Sequence, residues 1–169
     1  MNDYFRQGHL LVFTRFHTSE DCLKEDDRST LEKIGILMEE LGANCSVIHI
    51  QNSNPNQGWP DESGLNTSLS QTISDEFAIA FEGGARKVAG LFCCPTLLGK
   101  QQLEEAFLSL RLMDCCIGPR PDGGIYLLGM NRYYPHLLES RNWGDPRLCK
   151  NLIRDIGSQK QILYKLPGL

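Results

Sequence analysis

Hydrophobic positions along this chain fall into short continuous runs and into stripes with helical spacing. Continuous runs, typical of strands buried in a parallel sheet, occupy residues 10–13, 47–50, 88–92, 115–117, 125–128 and 162–164. Between them, apolar residues three and four apart predict amphipathic helices over residues 31–41, 69–81, 103–110 and 148–156. A weaker helical pattern covers residues 134–140. The alternation predicts right-handed βαβ units in one three-layer α/β/α domain, residues 1–169, with a mostly parallel sheet.

Polar residues at the edges of these stripes predict where three helices begin. Ser29 and Ser68 each stand three residues before Glu32 and Gln71, which is the spacing of a capping box. Asp145 precedes Pro146, the order expected of an N-cap residue and the first helical position.

Composition narrows the functional class. The chain has 169 residues, of which 41% are hydrophobic and 22% charged, and its formal net charge is −4. That balance gives no electrostatic basis for a nucleic-acid partner. No apolar run approaches the roughly 18 residues of a membrane span, and the first residues lack a signal-peptide pattern. We therefore expect a cytoplasmic protein without a membrane span.

The predicted architecture places ligands beyond the carboxyl ends of the strands, in loops 14–28, 51–68, 93–99 and 118–124. In the first of these loops, the guanidinium of Arg15 beside Thr14 can pair with a phosphate, or it can be solvated. Residues 14–28 contain no glycine and carry five acidic residues, so the loop is not a glycine-rich phosphate cradle.

The tripeptide Asp122-Gly123-Gly124 is the most informative of the loop sequences. Its glycines allow a ligand or a second backbone to come close, and its carboxylate can bind a metal or a hydroxyl. Asp-Gly is also a strong signal for a tight hairpin turn. Both interpretations remain open on the tripeptide alone.

Cysteine and tryptophan residues give weaker hypotheses. The seven cysteines show no CxxC spacing and are interpreted mainly as small buried hydrophobes. Thiol chemistry at Cys93 and Cys94 is the alternative, because Pro95-Thr96 could begin a helix that lowers a thiol pKa. Trp143 either covers an apolar patch or stacks on a base or sugar.

Residues 118–129, Gly-Pro-Arg-Pro-Asp-Gly-Gly-Ile-Tyr-Leu-Leu-Gly, resemble the GP-x-x-DGG-YYLIG signature of a bacterial family of glycosyltransferase-A-like proteins, largely of unknown function. Further similarities occur in the same order. Residues 10–15 resemble the family's first strand, 80–88 its AFxxGAxxV passage from helix to strand, and 94–95 with 103–107 its GTDCPxL…AF segment. Trp143 stands where the family's W-S-T begins.

This resemblance implies a Rossmann-like nucleotide-diphospho-sugar transferase (GT-A) fold. It also implies a nucleotide or nucleotide-sugar ligand, with Mg²⁺ or Mn²⁺ held by Asp122. The binding residues that it implies are Thr14, Arg15, Asp122, Gly123, Gly124 and Trp143; no catalytic residue is assigned.

Departures from the family pattern fall on its functional positions. The phosphate-binding element G-x-V-K-T-R-L has no counterpart in residues 16–30, and Cys93 replaces the metal-type Asp. Replacing a hard oxygen ligand by a thiol weakens binding of Mg²⁺ or Mn²⁺. Two hypotheses follow: a divergent nucleotidyl- or glycosyltransferase-like enzyme, or a non-catalytic module that binds a small ligand or a protein partner or forms an oligomer.

Overall fold

The computed structural model describes residues 7–17, 25–52, 65–92 and 98–168, and the structural statements below concern those residues. In chain order, the elements are β1 (Gly8–His17), α1 (Glu25–Leu41), β2 (Asn44–Asn52), α2 (Leu65–Glu82), β3 (Lys87–Leu91), α3 (Lys100–Ser109), β4 (Cys115–Pro119), β5 (Ile125–Met130), a 3-10 turn (Pro135–Leu137), α4 (Leu148–Ser158) and β6 (Leu163–Lys165). Each predicted strand and helix is present, and the segment around residues 134–140 is a 3-10 turn rather than an α-helix.

The strands form a sheet in the order β2-β1-β3-β5-β4-β6. Strand β1 is parallel to β2 and β3, β6 is parallel to β4, and β5 is antiparallel to both β3 and β4. Among the described strands, β5 alone is reversed, because the five residues between β4 and β5 are too few for a crossover connection and force a hairpin. The prediction of a mostly parallel sheet is confirmed.

Helices cover both faces of this sheet. Along β1, Leu11 and Phe13 face a core formed with α2 and α4, whereas Leu10 and Val12 face a second core formed with α1 and α3. Successive strand residues point to opposite faces, so an uninterrupted apolar run supplies both cores at once. The three-layer α/β/α arrangement is therefore confirmed.

The predicted helix starts are wrong at three places. Helix α1 begins at Glu25 and α2 at Leu65, so Ser29 and Ser68 lie inside helices. The polar residues ahead of Ser29 extend α1 beyond its apolar stripe, because helix formation does not require every turn to face the core. Helix α4 begins at Leu148 instead of directly after Asp145.

Asp145 lies in a turn that precedes α4. Its Oδ1 accepts the backbone N–H of Arg147 at 2.8 Å, and its carbonyl accepts the N–H of Leu148 at 2.9 Å. The side chain of Asp145 therefore stabilises the turn that precedes α4 and not the helix itself. Short polar side chains such as Asp often accept a hydrogen bond from a nearby backbone amide in this way.

No helix in the described part of the chain is both long enough and apolar enough to cross a membrane.

Candidate functional site

The candidate site lies where the parallel strands reach their carboxyl ends. Thr14 and Arg15 lie near the end of β1, Phe92 follows β3, and residues 120–124 follow β4, so all of them belong to one edge of the sheet. Pairing between β1 and β3 stops at Val12 and Leu91, and β1 continues to His17 alongside β2. Thr14 and Arg15 thus belong to a strand end that extends past β3, and not to a loop as the sequence predicted.

The two halves of this edge are separated by intervening strands. Between β1 and β4 lie β3 and β5, which makes three strand spacings, or about 14 Å. Residues Thr14 and Arg15 are therefore on the same edge as Asp122 without being neighbours of it. A ligand that contacts both strand ends has to be extended.

Asp122, Gly123 and Gly124 form the hairpin turn between β4 and β5. Arg120 donates its backbone N–H to the carbonyl of Gly124 at 3.0 Å, and Gly123 donates to the carbonyl of Arg120 at 3.2 Å. Asp122 Oδ1 accepts the N–H of Gly124 at 3.0 Å, and its Oδ2 pairs with the guanidinium of Arg120. Both carboxylate oxygens therefore have partners within the turn itself.

Asp122 nevertheless faces solvent, since 56% of its side-chain surface is exposed. A carboxylate oxygen has two lone pairs, and each oxygen of Asp122 accepts one hydrogen bond from the described residues. The structure thus gives Asp122 the role of a turn residue while leaving its carboxylate accessible from the sheet edge.

Gly123 joins this turn to the start of α4. Its φ is +85°, and a Cβ built at this position would lie 1.8 Å from the carbonyl oxygen of Pro146. Its own carbonyl accepts the N–H of Cys149 at 3.0 Å, an amide of the first helical turn of α4. Glycine is required here both by its backbone conformation and by the close approach of the two chain segments.

Trp143 lies in the core beneath this edge, with 5% of its surface exposed. Its ring stacks on Phe92 at a centroid distance of 4.7 Å, and Phe92 stacks on Phe13 at 5.2 Å. These three rings form an aromatic row from β1 to the segment before α4. Trp143 thus packs as a core residue, one of the two roles expected for it, and supports the site from below.

Ser70 of α2 fixes the segment that carries Trp143. Its hydroxyl accepts the indole N–H of Trp143 at 3.1 Å and the backbone N–H of Arg141 at 3.0 Å, and donates to the carbonyl of Arg141 at 2.9 Å. Sequence analysis missed this residue. The available signal was its position beside Leu69 on the apolar face of the predicted helix, where a serine needs a partner.

Asp145 adds a second carboxylate to this region of the chain, two residues after Trp143. The hydrogen bond from the backbone N–H of Arg147 holds the pKa of Asp145 below its usual value, against a smaller opposing effect of burial. The guanidinium of Arg147 also contacts this carboxylate at 3.3 Å and stays largely exposed. The backbone of the turn therefore favours the ionised form of Asp145.

The described residues do not complete a metal site. Among them, no three Asp, Glu, His or Cys side chains lie close enough together to hold a metal ion. Mg²⁺ commonly binds through one or two carboxylates and takes its remaining oxygen ligands from water and substrate phosphates. Asp122 supplies one exposed carboxylate, which is paired with Arg120, so a metal held there would depend on such ligands.

Of the cysteines in the described part of the chain, three are buried and one is exposed. Cys93 and Cys94 lie outside the described residues. Burial raises the pKa of both Cys115 and Cys116 to about 12, so these thiols pack as small apolar groups, as predicted. Cys149 is also buried, whereas Cys45 is exposed on β2, contrary to the expectation of a buried side chain.

Comparison with known proteins agrees with this architecture. Residues 62–145 match the family described as "Uncharacterized protein conserved in bacteria (DUF2064)". That segment includes the stretches at 80–88, 103–107 and 118–129 and Trp143, which the sequence analysis compared with a bacterial family. Among curated proteins, no sequence matches the chain.

Solved structures similar to this chain include a Desulfovibrio protein and a mycobacterial protein. One is a crystal structure of a Desulfovibrio desulfuricans G20 protein provisionally named a nucleotide-diphospho-sugar transferase, with a TM-score of 0.75, 16% identity, and coverage of 96% of this chain and 80% of that one. The other is Rv0371c from Mycobacterium tuberculosis H37Rv, with a TM-score of 0.48, 11% identity, and coverage of 96% and 88%. The chain therefore has the fold of the Desulfovibrio protein, and its central half is similar to an uncharacterized bacterial family.

Proposed function

We propose that this chain is a divergent nucleotide-diphospho-sugar transferase-like protein that binds a nucleotide or nucleotide sugar at the carboxyl edge of its sheet. The observation that carries this proposal is the fold shared with the Desulfovibrio protein over 96% of the chain. In open α/β sheets, this edge is where ligands bind.

The dimensions of the edge support an extended ligand. The strand end with Thr14 and Arg15 and the turn with Asp122 are about 14 Å apart across the sheet. A nucleoside joined through a diphosphate to a sugar spans such a distance, whereas a small anion does not.

Side chains at the edge can bind the phosphates and the sugar hydroxyls of such a ligand. Arg120 and Arg147 bring two guanidinium groups to the segments at this edge, and guanidinium is the side chain best matched to phosphate oxygens. The backbone of β1 brings Arg15 to the same edge. Asp122 presents an exposed carboxylate that can accept a hydrogen bond from a ribose or sugar hydroxyl. We assign ligand binding to Thr14, Arg15 and the turn 122–124, with Trp143 as the residue that supports them.

A non-catalytic binding module is the second candidate. It is favoured by Asp122, whose two oxygens are already hydrogen-bonded within the turn. A transferase has to neutralise the negative charge of a diphosphate leaving group. A divalent ion or strong cations supply the positive charge that this needs. Binding without turnover is the outcome expected if no further ligands complete a metal site.

Thermal unfolding in the presence of candidate ligands tests the proposal. We would use UDP, GDP, ADP, CDP and dTDP with their glucose conjugates, each with Mg²⁺, Mn²⁺ or EDTA. A ligand at 100 times its Kd stabilises the folded state by about 2.7 kcal/mol, which raises the Tm of a domain of this size by several degrees.

Two matched variants test whether the ligand that raises the Tm binds beside Asp122. Asp122→Asn keeps an oxygen for the Gly124 amide and removes the negative charge, so it should reduce the ligand-induced rise in Tm. Asp75→Asn changes an exposed carboxylate on α2 and should leave that rise unchanged. A rise that occurs in EDTA as well supports the module without a metal; a rise that needs Mg²⁺ or Mn²⁺ supports the transferase. No rise with any nucleotide at millimolar concentration contradicts both forms of the proposal.

A further inference from the structure

A cleft of about 380 Å³ opens at the amino edge of the sheet, opposite the candidate site. Its floor is formed by His9 of β1 and by Asn44 and Ser46 of β2, and its wall by Glu76 and Ile79 of α2. The turn of Gly83 and Gly84, which ends α2, closes one side. None of these residues belongs to the carboxyl edge discussed above.

The cleft exists because β2 is the outermost strand and α2 packs on β1 and β3. On the face of β2 that points toward α2, Ile48 and Ile50 pack against the core, whereas Asn44 and Ser46 are polar. This face of β2 thus changes from apolar at Ile48 and Ile50 to polar at Asn44 and Ser46, which line the cleft.

A hydrogen bond between two elements organises the floor. His9 Nε2 and Ser46 Oγ are 2.8 Å apart across β1 and β2. Burial lowers the pKa of His9, which favours the neutral imidazole. A neutral Nε2 can accept the hydroxyl proton of Ser46, and the lone pairs of Ser46 Oγ then remain available to a donor in the cleft.

The charge of the lining is negative. Glu76 is the acidic residue among the lining residues, and none of them is a lysine or arginine. The carboxyl end of α2 lies at the same place and has no basic residue in its last turn, so the partial negative charge of the helix end is not neutralised from within the helix. Ile79, which is 60% exposed, offers an apolar surface beside Glu76.

We propose that this cleft binds a small organic cation: an ammonium group on an apolar stem. The ammonium, with three donors and no acceptor, pairs with the carboxylate of Glu76 and the hydroxyl of Ser46. The stem lies against Ile79 and Ala80, and the volume is within the range of pockets that hold small organic ligands.

The test is a titration followed by heteronuclear NMR of the full chain, with n-pentylamine as the probe. Its neutral analogue n-pentanol and its anionic analogue n-pentanoate are the controls for stem and charge. We expect n-pentylamine to shift the signals of His9, Ser46 and Glu76 saturably, and n-pentanol to bind at least tenfold more weakly.

Glu76→Gln should weaken binding of n-pentylamine at least tenfold, and Ser46→Ala should weaken it by a smaller factor. Glu82→Gln is the matched control, because Glu82 is an exposed carboxylate on the same helix outside the cleft, and this variant should bind within twofold of the wild type. The proposal is overturned if n-pentylamine gives no saturable shifts, if n-pentanol binds equally well, or if Glu82→Gln weakens binding as much as Glu76→Gln. The result does not depend on whether a nucleotide binds at the other edge.

Discussion

The indole N–H of Trp143 donates to the hydroxyl of Ser70 at 3.1 Å, across 73 residues of sequence. The same hydroxyl satisfies both the N–H and the carbonyl of Arg141. One buried serine on α2 therefore positions the segment before α4, and with it the ring that stacks on Phe92 below the carboxyl edge.

Removing the hydroxyl of Ser70 should lower the stability of the fold. Ser70→Ala leaves the indole N–H and the backbone groups of Arg141 without their buried partner, and we expect a loss of about 1–3 kcal/mol in the free energy of unfolding. Urea denaturation measures it. Ser158→Ala, which removes an exposed hydroxyl bonded to the carbonyl of Asp155, should change stability by less than about 0.5 kcal/mol. Equal effects of the two variants would contradict the role given to Ser70.

Gly123 should tolerate no side chain. In Gly123→Ala the new Cβ would lie within 1.8 Å of the Pro146 carbonyl oxygen, so the turn and the start of α4 would have to separate. We expect a loss of more than about 3 kcal/mol or failure to fold. Gly42→Ala has a similar positive φ but no atom within 4 Å of the added Cβ, so it should cost only about 1 kcal/mol. Comparable losses for the two variants would show that the contact with Pro146 is not required.

Two substitutions separate the turn role of Asp122 from its charge. Asp122→Ala removes the acceptor for the Gly124 amide and should lower the free energy of unfolding by about 1 kcal/mol. Asp122→Asn retains that acceptor, and the ion pair with Arg120 that it loses is exposed, so it should cost less than about 0.5 kcal/mol. If urea denaturation gives the same loss for both variants, the hydrogen bond to Gly124 does not stabilise the turn.

Stability should depend on pH through His9. Burial lowers the pKa of His9 in the folded chain below the ordinary value of 6.5, so in mildly acidic solution the unfolded chain binds a proton that the folded chain does not. The free energy of unfolding should therefore fall as the pH decreases through about 6.5, and the loss should be complete below the folded pKa.

Urea denaturation between about pH 5 and pH 8 measures this dependence. The His9→Gln variant should show a smaller decrease in stability than the wild type over this range. His136→Gln, which replaces an exposed imidazole, is the control for general effects of removing a histidine. If His9→Gln has the same pH dependence of stability as the wild type, His9 is not the group responsible for it.

The strands, and the burial of both faces of the sheet, can be predicted from local sequence. A continuous apolar run in a parallel strand contributes side chains to a core on each side of the sheet. Leu10 to Phe13 show this directly, with alternate residues in different cores. Helix starts were harder to predict. Ser29 has the spacing of a capping box, but the polar residues before it also form helix, and the local pattern does not exclude that.

Contacts between segments distant in sequence could not be predicted from local sequence patterns. The two possible roles of Asp122 depend on whether its oxygens have partners, and the approach of Gly123 to Pro146 depends on where α4 packs. The pair of His9 with Ser46 joins residues 37 positions apart that no spacing rule connects. Such contacts are determined by the arrangement of whole elements.

Ligand binding at the carboxyl edge is tested most directly by a heteronuclear NMR titration of the full chain with the nucleotide sugar that gives the largest rise in Tm. We predict saturable shifts in the amide signals of Arg120 and Gly123–Gly124 and of residues 13–15, with those of Asn44, Ser46 and Glu76 unchanged. Absence of saturable shifts at millimolar ligand, or shifts confined to the amino edge, would contradict binding at the carboxyl edge.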